Sequence, residues 1–220
     1  WCKWRKSILS CIGNDVVDWK HPTNLNKSRD FRYLKKILTS AEIEFVFNSE
    51  NPDKALWSFW ACKETAYKTI RKSYAGLPFR PRQWSVLVNV HNRMFTEGEV
   101  IIAGADPVFV RIFDLPAGCL HCLGADNLTD LDGINWGIET LPEFSSGEDN
   151  ESSSFGRRCL TRKLAYFYQL NFQELEVRRA KEGGELQPPQ LYYENKKTPF
   201  DISLSHDGKF VAYAFLKRLD

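Results

Sequence analysis

"FWACKETAYK", residues 59–68, sets Lys63, Glu64 and Lys68 among Trp57, Phe59 and Trp60, side chains suited to a core. Eight residues upstream, Asn51 offers an N-cap, Pro52 occupies the first helical position and Asp53 lies in the first turn, so the spacing predicts a helix over 51–71. On that helix Leu56, Trp60, Lys63, Tyr67 and Ile70 recur every three or four residues. Trp57, Glu64 and Lys68 fall on an adjacent face. Glu64 and Lys68 therefore stand one turn apart, and taken alone they read as an ordinary intrahelical ion pair worth a few tenths of a kcal/mol.

Working outward from this helix, "SILSCIGNDVVDW" reads as a strand through Ile12, a turn at Gly13-Asn14 and a resumed extended path from Asp15. "TSAEIEFVF" has Thr39 or Ser40 as a cap before an acidic turn, which predicts a short helix. After the long helix come β-rich runs, "WSVLVNV", "GEVIIAG", "PVFVRIF" and "CLHCLGA". "LPEFSSGEDNESSSFG", residues 141–156, is rich in Ser, Gly and acids and reads as a linker between a first half, 1–140, and a second, 157–220. The second half follows the same plan, with a helix "FGRRCLTRKLAYFYQL" and then strands "ELEVRRA", "PQLYY", "FDISLSH" and "KFVAYAFL". Helices followed by antiparallel strands, twice, predict an α+β fold.

Composition sets limits on function. The 220 residues are 43% hydrophobic and 14% aromatic, enough for one substantial core or two small ones. A net charge of +2 is too slight for a nucleic-acid-binding protein recognised by its global field. No apolar run approaches the roughly 18 residues of a membrane span, and "WCKWRKSILSC" lacks a signal-peptide apolar stretch, so a cytoplasmic protein is expected. Cys119 and Cys122 form a lone CxxC with no second pair to complete a zinc site, which favours reduced cysteines in a buried strand.

Asp15, in an apolar run, is costly to bury unless it is paired or holds a cation. Asp15 and Glu64 together suit Mg²⁺, which takes one or two carboxylates and fills its octahedron with water and phosphate oxygens. Near the other end of the chain, Ser203 and Ser205 share one face of a strand and His206 sits where it enters the "DGK" turn. Those serines also suit turn caps, and His206 a bond to a backbone carbonyl.

"IGNDVVD", "WACKETAYK" and "ISLSHDGKFVAYAF" resemble the G-x-D, W-x-x-K-E-x-x-x-K and S-H signatures of the 4′-phosphopantetheinyl transferases. "GLPFRPRQWSVLV" is similar to the segment after the family's K-E helix, and "GRRCLTRKLAYFYQLNFQELEV" looks like its Arg-containing helix, so the resemblance covers residues 11–216. Three departures stand out. The G-x-D half precedes the S-H half, the reverse of the two-lobed members. Asp15-Val16-Val17 replaces their D-x-E, leaving the two-carboxylate metal site of the small trimeric holo-acyl-carrier-protein synthases. "GGELQPPQL" lacks the lysine of the family's G-K-P, and Lys181, Lys196 and Lys197 are out of register with it.

The resemblance implies a monomer imitating a dimer, with the site between two similar lobes, each a set of helices on a small antiparallel sheet. It implies Mg²⁺-dependent transfer of the phosphopantetheine arm of coenzyme A to a serine of a fatty-acid, polyketide or nonribosomal-peptide carrier protein. Asp15 and Glu64 would hold the metal, Lys68 would meet the phosphate charge, and Glu64, directly or through a metal-bound water, would act as base. Lys63 would orient Glu64 or reach a phosphate. Arg158, Arg162, Ser205 and His206 would bind the nucleotide's phosphates, Arg157 and Lys163 being close in sequence. Lys27, Arg29, Arg32, Lys35 and Lys36 would steer an acidic carrier. A metal-dependent phosphodiesterase and a non-catalytic coenzyme-binding module are the alternatives.

Overall fold

The computed structural model describes residues 10–74, 76–91, 94–142 and 149–218. The chain opens with β1 (Ile12–Asp18), then α1 (Phe31–Ile37), α2 (Ser40–Asn48) and α3 (Pro52–Ile70). Strands β2 (Ser85–His91), β3 (Thr96–Ile101), β4 (Val108–Leu115), β5 (Cys119–Ala125) and β6 (Asn135–Thr140) follow. Then come α4 (Asp149–Tyr168), β7 (Leu175–Arg178) and the short pair β8 (Lys181–Glu182) and β9 (Glu185–Leu186). The chain closes with β10 (Gln190–Tyr193), β11 (Lys196–Lys197), β12 (Phe200–Asp207) and β13 (Phe210–Lys217). The α+β class expected from the sequence holds: the sheets are antiparallel, in the orders β1-β5-β4-β3-β2, β12-β13-β6 and β11-β10-β7, with β8-β9 as a ribbon.

The start of α3 is built as its sequence requires: Asn51 Oδ1 accepts from Lys54 N at 3.0 Å, with Pro52 in the first turn. Thr39 and Glu42 form a capping box at the head of α2. α3 is buried on several sides because it lies between the five-stranded sheet and the layer of α1 and α2. Leu56, Trp57, Cys62, Ala66 and Ile70 join one core with Leu34, Val46, Trp84 and Val110.

Two expectations change. Gly13-Asn14 is not a turn, for β1 runs unbroken and fully buried through both. Gly13 serves packing: a Cβ there would lie 2.3 Å from Thr65 O and 2.4 Å from Thr69 Oγ1. Its cross-strand partner Gly124 would place one 2.6 Å from Thr65 Cγ2. The paired glycines form the seat on which α3 rests, and that seat fixes Glu64 and Lys68 relative to Asp15. The boundary between the halves also shifts. β6, placed in the first half from sequence, pairs with β13, and Asp149–Gly156, read as linker, form the first turns of α4. The Ser-rich stretch 143–148 lies outside the described residues.

The halves meet along β1. Ile12 N donates to Asp201 Oδ2 at 2.7 Å, Asn14 N to Ser203 Oγ at 2.9 Å and Asp18 N to Asp207 Oδ2 at 2.8 Å. Each pair is 189 residues apart, so β12 runs beside β1 in the same direction and in register. Alternate β12 side chains thus satisfy the outward backbone donors of an edge strand. The opposite face of β12 carries Ile202 and Leu204, packed in the core under α4 with Leu160 and Leu164.

Candidate active site

Asp15 leaves β1 toward α3 and meets Lys68, whose Nζ donates to Asp15 Oδ1 at 2.7 Å and to Asn14 O at 3.1 Å. Glu64, one turn back along α3, is half-buried and faces the same charges. Burial first, and then the charge of Asp15, push its carboxyl up to about 7, with Lys68 opposing. Burial also raises the Asp15 carboxyl against the pull of Lys68. Lys68 thus bonds Asp15 and lies within the field of Glu64, whose charged form Asp15 disfavours. Among the described residues no group of three or more Asp, Glu, His or Cys side chains suits a metal ion.

Behind Asp15, Asn14 Nδ2 donates to Ser205 Oγ at 3.0 Å and lies 3.3 Å from His121 Nε2. Burial pushes the His121 pKa down to about 3, so the ring is neutral and accepts from Asn14. One turn beyond Lys68, Lys72 Nζ bonds Ile12 O at 2.6 Å, Asp201 Oδ2 at 2.8 Å and Ile202 O at 2.8 Å. It ties α3 to both strands. Nothing but its place in the Glu64, Lys68, Lys72 ladder marked it in the sequence.

Of the expected residues, Asp15, Glu64 and Lys68 come together. Lys63 does not join them. It is fully buried on another side of α3, where Nζ bonds Glu42 Oε2 at 2.5 Å and the carbonyls of Ile37 and Pro81 at 2.9 Å each. Glu42 in turn accepts from the backbone of Thr39 and Val86. Lys63 is therefore a fully bonded core cation with no path to Glu64 or a phosphate, and its partner Glu42, seen in sequence only as an acidic first-turn residue, is what makes that burial tolerable. Ser205 is likewise buried, its hydroxyl held by Asn14. His206 is exposed and lies on the β12 face opposite Ser205. Arg158 and Arg162 are exposed on α4, over the rings of Phe155 and Phe172 respectively.

The basic stretch lies beside the site. Arg29, Arg32, Lys35 and Lys36 are exposed, and Tyr33 of α1 has its hydroxyl pKa pushed up to about 12 by burial and then by the carboxylates of Glu64 and Asp207. Exposed Phe31, Phe45 and Phe47 complete that surface. No helix among the described residues is long and apolar enough to cross a membrane.

Two curated holo-[acyl-carrier-protein] synthases, from the Ames and Paris lines of Leptospira biflexa serovar Patoc strain Patoc 1, are each 30% identical to the chain over 59 residues. The match covers 27% of this chain and 46% of each relative, about half the length of those proteins. No solved structure matches the chain. The model of the 4′-phosphopantetheinyl transferase superfamily matches residues 11–111, the stretch that carries Gly13, Asp15, Glu64 and Lys68.

Proposed function

We propose that the protein transfers the 4′-phosphopantetheine arm of coenzyme A to a serine of an apo carrier protein, releasing adenosine 3′,5′-bisphosphate. The observation that carries this reading is the ion pair of Asp15 with the Lys68 ammonium, set within the field of Glu64, whose carboxyl Asp15 helps to push up.

Mg²⁺ fits this donor set, and when held by Asp15 and Glu64 it would supply charge neutralisation at the diphosphate. Lys68 meets the charge that grows on the leaving phosphate. Glu64 receives the proton of the carrier serine. A carboxyl whose pKa sits at about 7 is matched to that exchange near neutral pH. The serine oxygen forms the new bond to phosphorus, the bond to the bisphosphate oxygen breaks, and the chain's work is positioning and electrostatics.

The exposed basic face at Arg29, Arg32, Lys35 and Lys36 borders Glu64 through Tyr33, which supports docking of an acidic carrier there. In the second half, exposed Arg158, Arg162 and His206 are candidates for the nucleotide phosphates. The two halves in one chain complete one site as a monomer in the cytoplasm. The test is a mass spectrum of an apo carrier incubated with coenzyme A, Mg²⁺ and this protein. The carrier should gain the mass of one arm, dependent on Mg²⁺, and an unmodified carrier from each of the fatty-acid, polyketide and peptide classes would reject the reading.

A further inference from the structure

β12 meets the edge of β1 in rungs two residues apart, and one rung is missing. Ile12 N bonds Asp201, Asn14 N bonds Ser203 and Asp18 N bonds Asp207, each pair 189 residues apart. Val16 N points to the same side, since side and donor directions recur every second residue along a strand. The β12 residue in register with it is Ser205. Ser205 Oγ is turned instead to Asn14 Nδ2, from which it accepts at 3.0 Å.

The same amide nitrogen lies 3.3 Å from His121 Nε2. His121 is wholly buried where the two larger sheets meet, its ring 4.9 Å from that of Trp136 on β6 and stacked on Phe113 of β4. Being neutral there, it offers Nε2 as an acceptor. Ser205 and His121 thus use both protons of the Asn14 amide, which fixes its orientation.

The Val16 N–H, left out of the rung, bonds the carboxylate of the residue before it, Asp15. That carboxylate therefore has a backbone donor as well as Lys68 Nζ at 2.7 Å, and Lys68 is held in turn by the Asn14 carbonyl at 3.1 Å. A buried N–H must find an acceptor, so the group that claims Ser205 decides where the Val16 N–H goes. An apolar side chain at position 14 would free Ser205 Oγ to complete the rung and would take a donor away from Asp15.

We propose that Asn14 is a positioning residue: by engaging Ser205 and His121 it keeps a gap in the seam between β1 and β12, and the Asp15 carboxylate is held in that gap. The role of Asp15 as a cation ligand rests on the transferase reading above, whereas its placement by Asn14 does not.

The test is Asn14→Leu, which keeps the shape of the side chain and removes the amide. In a crystal structure of the metal-free variant Ser205 Oγ should lie about 3 Å from Val16 N, with the Asp15 carboxylate turned away from that N–H. Calorimetry with Mg²⁺ alone should give an affinity about tenfold or more below wild type. Adding Ser205→Ala removes the competing acceptor and should restore most of that affinity, a rescue that general damage to the core would not show. Asn14→Ser, whose short hydroxyl does not span the gap to Ser205, runs the same test should Asn14→Leu fail to fold. An Asp15 carboxylate in its wild-type place in a folded variant, or a double variant that binds Mg²⁺ as weakly as the single one, overturns the inference. The crystal comparison needs no metal, so it decides the matter whatever Mg²⁺ does. The transferase reading is scored separately by the carrier mass spectrum. Arm transfer by wild type with Asp15 unmoved in Asn14→Leu sinks the positioning role alone, whereas the expected shift of Ser205 and Asp15 without transfer to any carrier sinks the reading alone.

Discussion

Lys68 Nζ lies 2.7 Å from Asp15 Oδ1 and also 3.1 Å from the carbonyl of Asn14, so the helix lysine grips the strand at both side chain and backbone. Lys68→Met should leave buried Asp15 without its ammonium and half-buried Glu64 without the opposing charge. Both would hold protons more tightly, and Mg²⁺ would become the main counter-charge. Expected are transfer reduced about a hundredfold or more and a larger Mg²⁺-induced rise in melting temperature than in wild type. Wild-type turnover in this variant would remove Lys68 from the chemistry.

Glu64→Gln separates repulsion from function. It removes a charge that burial and Asp15 both disfavour, so the metal-free protein should melt at the same temperature or higher while transfer is lost. A folded Glu64→Gln protein with wild-type activity would reject Glu64 as ligand and base alike.

The pH dependence has a definite sign. The Glu64 carboxyl rises from its ordinary 4.5 to about 7, so the folded state binds this proton more tightly than the unfolded state. Its contribution to stability is complete below about 4.5 and is lost as pH climbs through about 7. Mg²⁺ competes with that proton, so millimolar Mg²⁺ should raise the melting temperature more at about pH 8 than at about pH 6. Equal shifts at both, measured by differential scanning fluorimetry, would argue against metal at Glu64.

Lys63→Met tests the core cation. It leaves Glu42 buried without its ammonium, a loss of about 3–5 kcal/mol by analogy with other broken buried pairs. Joint replacement with Glu42→Leu should recover part of that loss. Denaturant unfolding measures both, and a fully stable single variant with weakened coenzyme binding would restore Lys63 to the site.

Gly13→Ala should displace α3, because its methyl group would meet a backbone carbonyl rather than a flexible side-chain end. Stability and Mg²⁺ response should fall together, whereas a change confined to stability would mean that Glu64 and Asp15 do not depend on the seat.

The helix start at Asn51-Pro52, the strand runs and the facing of Glu64 and Lys68 were legible because they rest on local signals, a cap, an alternation and a spacing of four, whereas Asp15, far from both in sequence, was joined to them by the resemblance. Gly13 was visible as a glycine but not as a seat, since the atoms that exclude a Cβ belong to Thr65 and Thr69, more than 50 residues away in sequence. Lys63 misled for a related reason. Its neighbours in sequence are Glu64 and Cys62, yet its ion-pair partner is Glu42 on another helix. Ser203 and Ser205 announced a strand face correctly, but the alternation could not tell whether that face would meet a ligand or the edge of β1.

The rungs between β1 and β12 are made by the side chains of Asp201, Ser203 and Asp207, while each strand finds its backbone partner elsewhere, β1 in β5 and β12 in β13. The seam therefore has the selectivity of a coded zipper. A stray strand could offer carbonyls to β1, but only one with short polar side chains at alternate positions would fit the spacing set by β12. Expressed without the second half, the first would present a naked edge of buried-type residues from Ile12 to Val17. Such a fragment should self-associate, and a synthetic peptide of residues 200–207 should suppress that aggregation, whereas a version with valine at 201, 203 and 207 should not.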